Sequence, residues 1–95
     1  MLNLITRIEL TAAAADRFAA ALPGLLAAFR AEPGCRSYTA SRSVEEPRVF
    51  WMVEEFDSWE ALDAHEATPH VKQLREEFGG SFAVPPVMIA VDPIG

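Results

Sequence analysis

Apolar and polar positions alternate from the start of the chain. In "LNLITRIEL" (2–10), Leu2, Leu4, Thr6, Ile8 and Leu10 fall on one side and Asn3, Ile5, Arg7 and Glu9 on the other. A period of two with one mostly apolar face predicts a half-buried strand. The period then changes. Phe18, Leu22, Leu25 and Phe29 recur at helical spacing after Thr11, a residue suited to cap a helix. Pro23-Gly24 falls inside that stripe and predicts a kink or local opening. At "EPG" (32–34) the helix should stop, Pro ending it and Gly supplying the turn.

Two further strands follow, "CRSYTASRS" (35–43), with Arg36, Tyr38, Ala40 and Arg42 on one face, and "RVFWMVEEF" (48–56). Asp57 or Ser58 opens the next helix, "SWEALDAHEA", with Asp57 and Glu60 in capping-box spacing. "PHVKQLREEF" (69–78) predicts another helix, its stripe made by Val71, Leu74 and Phe78 and its stop by Gly79-Gly80. "PVMIAVD" (86–92) is the last strand. The order β-α-β-β-α-β, with the second helix broken in two, predicts one ferredoxin-like α+β sandwich with an antiparallel sheet over residues 1–95.

The third strand adds a demand. Its centre, "VFWMV", is apolar on both faces, and a chain of 95 residues with helices on one face has nothing left to cover the other. A homodimer through the sheet faces is the expected cover. Hydrophobic residues make up 51 % of the chain, which presses the same way. A net charge of −6 with no Lys/Arg cluster argues against nucleic acid as a partner. "MLNLITRIEL" lacks the pattern of a signal peptide and no stretch approaches a continuous apolar span, so a cytoplasmic protein without membrane partners is expected. Cys35 is the single cysteine, in keeping with a reducing compartment.

Candidate chemistry gathers in "DAHEATPH" (63–70), which holds both histidines. A zinc hydrolase needs HExxH, with its histidines four apart on one helical face. Here they are five apart, and Thr68-Pro69 has the form of a new helix start. His65 should therefore close one helix while His70 opens the next, and no metal site is expected. His65, three residues after Leu62, lies at the edge of an apolar stripe, as a packed helical histidine or as a polar group on a pocket rim. His70, at the second position of its helix, either faces solvent or donates and accepts protons. Glu54 shares a strand face with Phe50, Met52 and Phe56 and needs a partner, for which Arg7, Arg36 and Arg42 are candidates. Tyr38 reads as a wall residue, Cys35 as a small buried hydrophobe, and Trp51 and Trp59 as core or interface anchors. Neither a phosphate-binding glycine loop nor a cluster of metal ligands occurs, so no cofactor is expected.

"EPGCRSY", "VEEFDSWEALDAH" and "TPHV" resemble segments of the antibiotic biosynthesis monooxygenase family, in particular its small quinol-oxidising members, and the likeness runs over nearly the whole chain. The resemblance implies a ferredoxin-like dimer closing into an α/β barrel. It also implies a pocket between sheet and helices in which a small phenol or quinol is oxidised by O₂ to a quinone without metal or flavin. On that reading His65 or His70 accepts the phenolic proton, Glu54 orients one of them or pairs with an arginine, and Tyr38, Trp59 and Arg42 contact the substrate. The chain departs from two branches of the family. Where polyketide-oxidising members carry Asn, Trp and Tyr it has Ala61, His65 and Val71, and where haem-degrading members carry Asn, Trp and His it has Thr6, His65 and a position near Arg75. The competing readings are a non-oxidative enzyme on the same scaffold and a dimeric binding module without turnover.

Overall fold

The computed structural model describes residues Met1–Gly95. Four strands, β1 (Leu2–Glu9), β2 (Cys35–Arg42), β3 (Val49–Phe56) and β4 (Val87–Val91), form an antiparallel sheet in the order β2-β3-β1-β4. Helices α1 (Ala12–Arg30), α2 (Trp59–Glu66) and α3 (Pro69–Phe78) follow β1 and β3. This is the ferredoxin-like α+β sandwich that the alternation of periods predicts.

The core lies between the helices and one sheet face. Leu2, Leu4 and Ile8 of β1 and Phe50, Met52 and Phe56 of β3 meet Ala14, Ala15, Phe18, Leu22 and Phe29 of α1, with Leu62, Val71 and Phe78 from the other helices. Phe18 sits edge-on to both Phe50 and Phe78, with ring centroids 4.9 and 5.1 Å away, joining sheet, α1 and α3 at one point. By length and composition α1 is apolar enough to cross a membrane, with mean hydropathy 1.3. In the fold that apolar face is the one packed on the sheet.

Local signals fared unevenly. α1 passes through Pro23 without interruption. Pro23 and Gly24 lie on its exposed side, where solvent can take the carbonyl that proline leaves without a donor. Ser58 caps α2, accepting from the Ala61 amide at 3.2 Å, while Asp57 instead pairs with Arg36. Thr68 precedes Pro69 at the start of α3 as expected, yet its hydroxyl turns back and donates to the His65 carbonyl at 2.7 Å. That bond closes the end of α2 instead of the start of α3. Gly79-Gly80 continues into a short 3₁₀ turn, Gly79–Ser81, that leads to Phe82.

The other sheet face is bare. Trp51 and Val53 of β3 are 40 and 48 % exposed, and the register sets Val53 beside Ile5 and Ile5 beside Ile89. Val87 and Val91 extend this apolar surface along β4.

Candidate functional site

Glu54 is the least expected residue of the core. It is 1 % exposed, and pleating points it to the helix side with Met52 and Phe56. None of the three arginines proposed for it is its partner: Arg7 pairs with Glu9, Arg36 with Asp57 and Arg42 with Asp16. Arg7 lies on the opposite sheet face, and Arg36 and Arg42 are drawn to carboxylates outside the core. The Thr6 hydroxyl donates to Glu54 Oε2 at 2.8 Å, and Oε1 is buried without a hydrogen bond of regular geometry, with the Tyr38 hydroxyl near the carboxylate. Burial raises the Glu54 carboxyl above its ordinary value, opposed by the Thr6 bond, by the nearby His65 and by the Tyr38 hydroxyl. A buried polar atom left open is costly and calls for an explanation.

The explanation is spatial. A cavity of about 180 Å³ opens between the sheet and α2–α3, lined by Thr6, Tyr38, Met52, Glu54, His65 and Val71, with Met88 of β4 on its wall. A cavity of about 150 Å³ holds one benzene ring, so this one accommodates a single-ring aromatic. Glu54, His65 and the Tyr38 phenol are the ionisable side chains of its interior; Glu66 and Arg75, paired with each other and half-exposed, stand at its rim.

His65 is 5 % exposed, at the last turn of α2. Phe29 meets its ring edge-on at 4.7 Å, and Phe56 and Tyr38 lie at 5.3 and 5.6 Å. Its Nδ1 faces Glu32, at 2.8 Å from Oε1 and 3.1 Å from Oε2. His70 Nε2 meets the same carboxylate at Oε2. A carboxylate accepts, so each facing ring nitrogen carries a hydrogen. In the neutral ring this leaves Nε2 of His65 as a lone-pair acceptor. A second, smaller depression is formed by Glu32, Pro33, Ala64, His65 and Thr68.

The turn after α1 brings Glu32 there. Its amide donates to the Phe29 carbonyl and its carbonyl accepts from the Cys35 amide. Gly34 then takes φ 82°, and a Cβ at that position would lie 2.7 Å from the Ala61 Cβ of α2. Glycine is required twice over, for the left-handed backbone and for the close approach of the turn to α2. Cys35 is next in line. Burial, then the charges of Glu32 and Glu54, push its thiol up, which disfavours a thiolate nucleophile.

The remaining candidates divide. Tyr38 lines the cavity and lies opposite Glu54 in the β2–β3 register; burial and then the Glu54 charge push its hydroxyl well above the usual range, so it stays a phenol. His70, 27 % exposed, stands behind Glu32 and outside the cavity wall. Trp59 and Arg42 do not reach the cavity. Trp59, at the first turn of α2, is 57 % exposed, and Arg42 lies over the Phe50 ring while bonding Asp16 and the Pro47 carbonyl. Glu32 is the residue that pattern reading missed. It read only as part of a helix stop, although a lone acid at such a stop and two unassigned histidines are complementary in charge.

An antiparallel sheet with helices on one side and a largely apolar pocket holding a buried carboxyl and a histidine defines a small ferredoxin-like α+β domain. The chain belongs to the antibiotic biosynthesis monooxygenase family, whose model matches residues 1–77. A crystal structure described as an antibiotic biosynthesis monooxygenase is similar with TM-score 0.91 at 25 % identity, over 100 % of both chains. Rv0793 from Mycobacterium tuberculosis is similar at 28 % identity and TM-score 0.86, over 99 % of this chain and 95 % of that one. PA3566 from Pseudomonas aeruginosa shares the fold at 23 % identity and TM-score 0.89, over 99 % and 94 % of the two chains. No curated protein sequence matches the chain.

Proposed function

We propose that this protein is a monooxygenase that oxidises a single-ring phenol or hydroquinone with O₂ to a quinone, without a bound cofactor. Family membership supports the reaction class. The observation that carries the substrate class is the open Oε1 of Glu54 in a one-ring apolar cavity shared with His65.

His65 Nε2 accepts the phenolic proton. Glu54 holds its own proton on Oε1, because Oε2 is taken by Thr6 and burial favours the acid, and donates to the oxygen on which the negative charge forms. The apolar wall replaces water around the anion, whose electron-rich ring transfers an electron to O₂. Radical recombination forms a C–O bond, and the peroxide anion takes the proton back from the His65 imidazolium. Cleavage of the O–O bond with loss of the ring hydrogen at that carbon gives the quinone carbonyl and water. One phenol and one O₂ thus yield one quinone and one water, and the base is regenerated.

A second copy of the chain covers the bare sheet face, with Trp51, Val53 and Ile89 at its centre. The exposed apolar side chains there support this, as does the small core available to 95 residues. Sedimentation should give a dimer, and Val53→Glu should give a monomer.

Oxygen uptake with a panel of hydroquinones and phenols tests the reaction, with ¹⁸O₂ labelling of the quinone. Uptake with one labelled oxygen in the product is expected. No uptake with any panel member, together with thermal stabilisation by a ligand of another class such as a sugar phosphate, would favour a non-oxidative enzyme.

A further inference from the structure

We propose that Glu32 is a positioning residue that sets His65 as the base, and that His70 holds Glu32 in place. The inference rests on the monooxygenase reading for its kinetic consequence but not for its structural one.

Both oxygens of the Glu32 carboxylate are engaged, Oε1 and Oε2 by His65 Nδ1 at 2.8 and 3.1 Å and Oε2 also by His70 Nε2. The side chain is only 9 % exposed. Two donors from two different helices therefore converge on one buried acceptor supplied by a third element, the turn after α1. A simple staple between α1 and the α2–α3 junction would need only one of these bonds. What the second adds is a fixed rotation for the carboxylate, which in turn fixes the plane of His65.

The consequence lies on the other side of the ring. Imidazole has two tautomers, and an acceptor at Nδ1 selects the one whose lone pair is on Nε2. Without Glu32 the ring could present either an N–H or a lone pair to the cavity, and only the lone pair takes a proton from a phenol. When Nε2 is protonated, Nδ1–H stays on Glu32, whose negative charge then faces an imidazolium. The backbone restricts the ring as well, because Thr68 bonds the His65 carbonyl and Phe29 closes the ring edge.

His70 has the complementary arrangement. Nε2 is turned to Glu32 while the ring leans on Phe29 at 5.5 Å, so its own free nitrogen is not directed by any carboxylate. This separates two histidines that the sequence leaves equivalent: His65 is the catalytic residue and His70 the support.

Long-range ¹H–¹⁵N correlation of the histidine rings, recorded on the full chain without substrate, reads the tautomer directly. The wild type should show neutral His65 with its hydrogen on Nδ1. Glu32→Gln turns one acceptor into a donor facing a donor, so the His65 signals should move toward the other tautomer or a mixture. With an oxidised hydroquinone, Glu32→Gln should lower kcat about a hundredfold with KM changed less than about threefold, and Glu32→Asp should recover part of it. His70→Ala should lower kcat about tenfold or less and broaden the His65 ring signals. Wild-type His65 with its hydrogen on Nε2, or ring signals unchanged in a folded Glu32→Gln protein, would overturn the proposal. Should the tautomer be as expected while no phenol is oxidised, the monooxygenase reading fails and the positioning role stands.

Discussion

Two carboxylates are buried within reach of the same histidine, and the fold treats them oppositely. Glu32, in a turn, has both oxygens occupied by ring N–H groups, whereas Glu54, in β3, has one oxygen on Thr6 and one without a hydrogen bond of regular geometry. A satisfied buried acid organises what surrounds it, and an unsatisfied one is available for a bond with something that enters. The difference underlies the proposed roles: Glu32 faces the protein and Glu54 faces the cavity. It also bears on why none of Arg7, Arg36 and Arg42 pairs with Glu54. An arginine there would have consumed the oxygen that the cavity leaves open.

The comparison can be broken first at the residue that joins its halves. His65→Ala should lower kcat by about 100- to 10,000-fold, the usual contribution of general base catalysis, in an oxygen-electrode assay with the best hydroquinone. Its fold should survive, because α2 keeps its Ser58 cap and Leu62.

Glu54→Gln acts on the other half, with two readouts. The reactive form of Glu54 is the acid, so wild-type activity should decline as pH rises through its raised value. The Gln variant, which cannot ionise, should lose that alkaline decline and about tenfold in rate. Stability moves the opposite way. A carboxyl raised in the folded state favours folding below the ordinary carboxylate value of 4.5, and that contribution is lost as pH rises through the folded one. The variant's Tm should therefore exceed the wild type's at neutral pH, with the gap closing in acid.

Gly34→Ala tests the turn that delivers Glu32. The left-handed backbone and the Ala61 contact should cost about 1–3 kcal/mol by denaturant melts and reduce kcat, with the Glu54-dependent alkaline decline intact. The smallest effects belong to Arg42→Ala and Trp59→Ala, both outside the cavity. Each should change kcat/KM by less than about twofold, against the sequence expectation that they touch substrate.

The fold was largely legible because its elements announce themselves by period. Alternation located β1, a run apolar on both faces located β3, helical stripes located α1 and α3, and Thr68-Pro69 divided the histidine stretch between two helices. The candidate site was half legible. His65 and Glu54 could be picked out because each stands on or beside an apolar face, where a polar residue is visible in one dimension, and Tyr38 as the chain's only tyrosine. Glu32 could not be, since its burial comes from a glycine turn folding against α2, a contact between residues 34 and 61 that no local pattern records. His70 and Arg42 lie outside the cavity lining for a related reason. Sequence gives the face of an element on which a side chain sits, but not which neighbouring charge claims it.

The central claim is that a phenol gives its proton to His65 Nε2 while bonding Glu54 Oε1. The most direct test is the ¹H–¹⁵N spectrum of the histidine rings during anaerobic titration with a tightly bound phenol. The account predicts that Nε2 of His65 acquires a hydrogen while Nδ1 keeps its own, with His70 unaffected, and that Glu54→Gln weakens the binding. Protonation of His70 with His65 unchanged, or binding indifferent to Glu54, would contradict it.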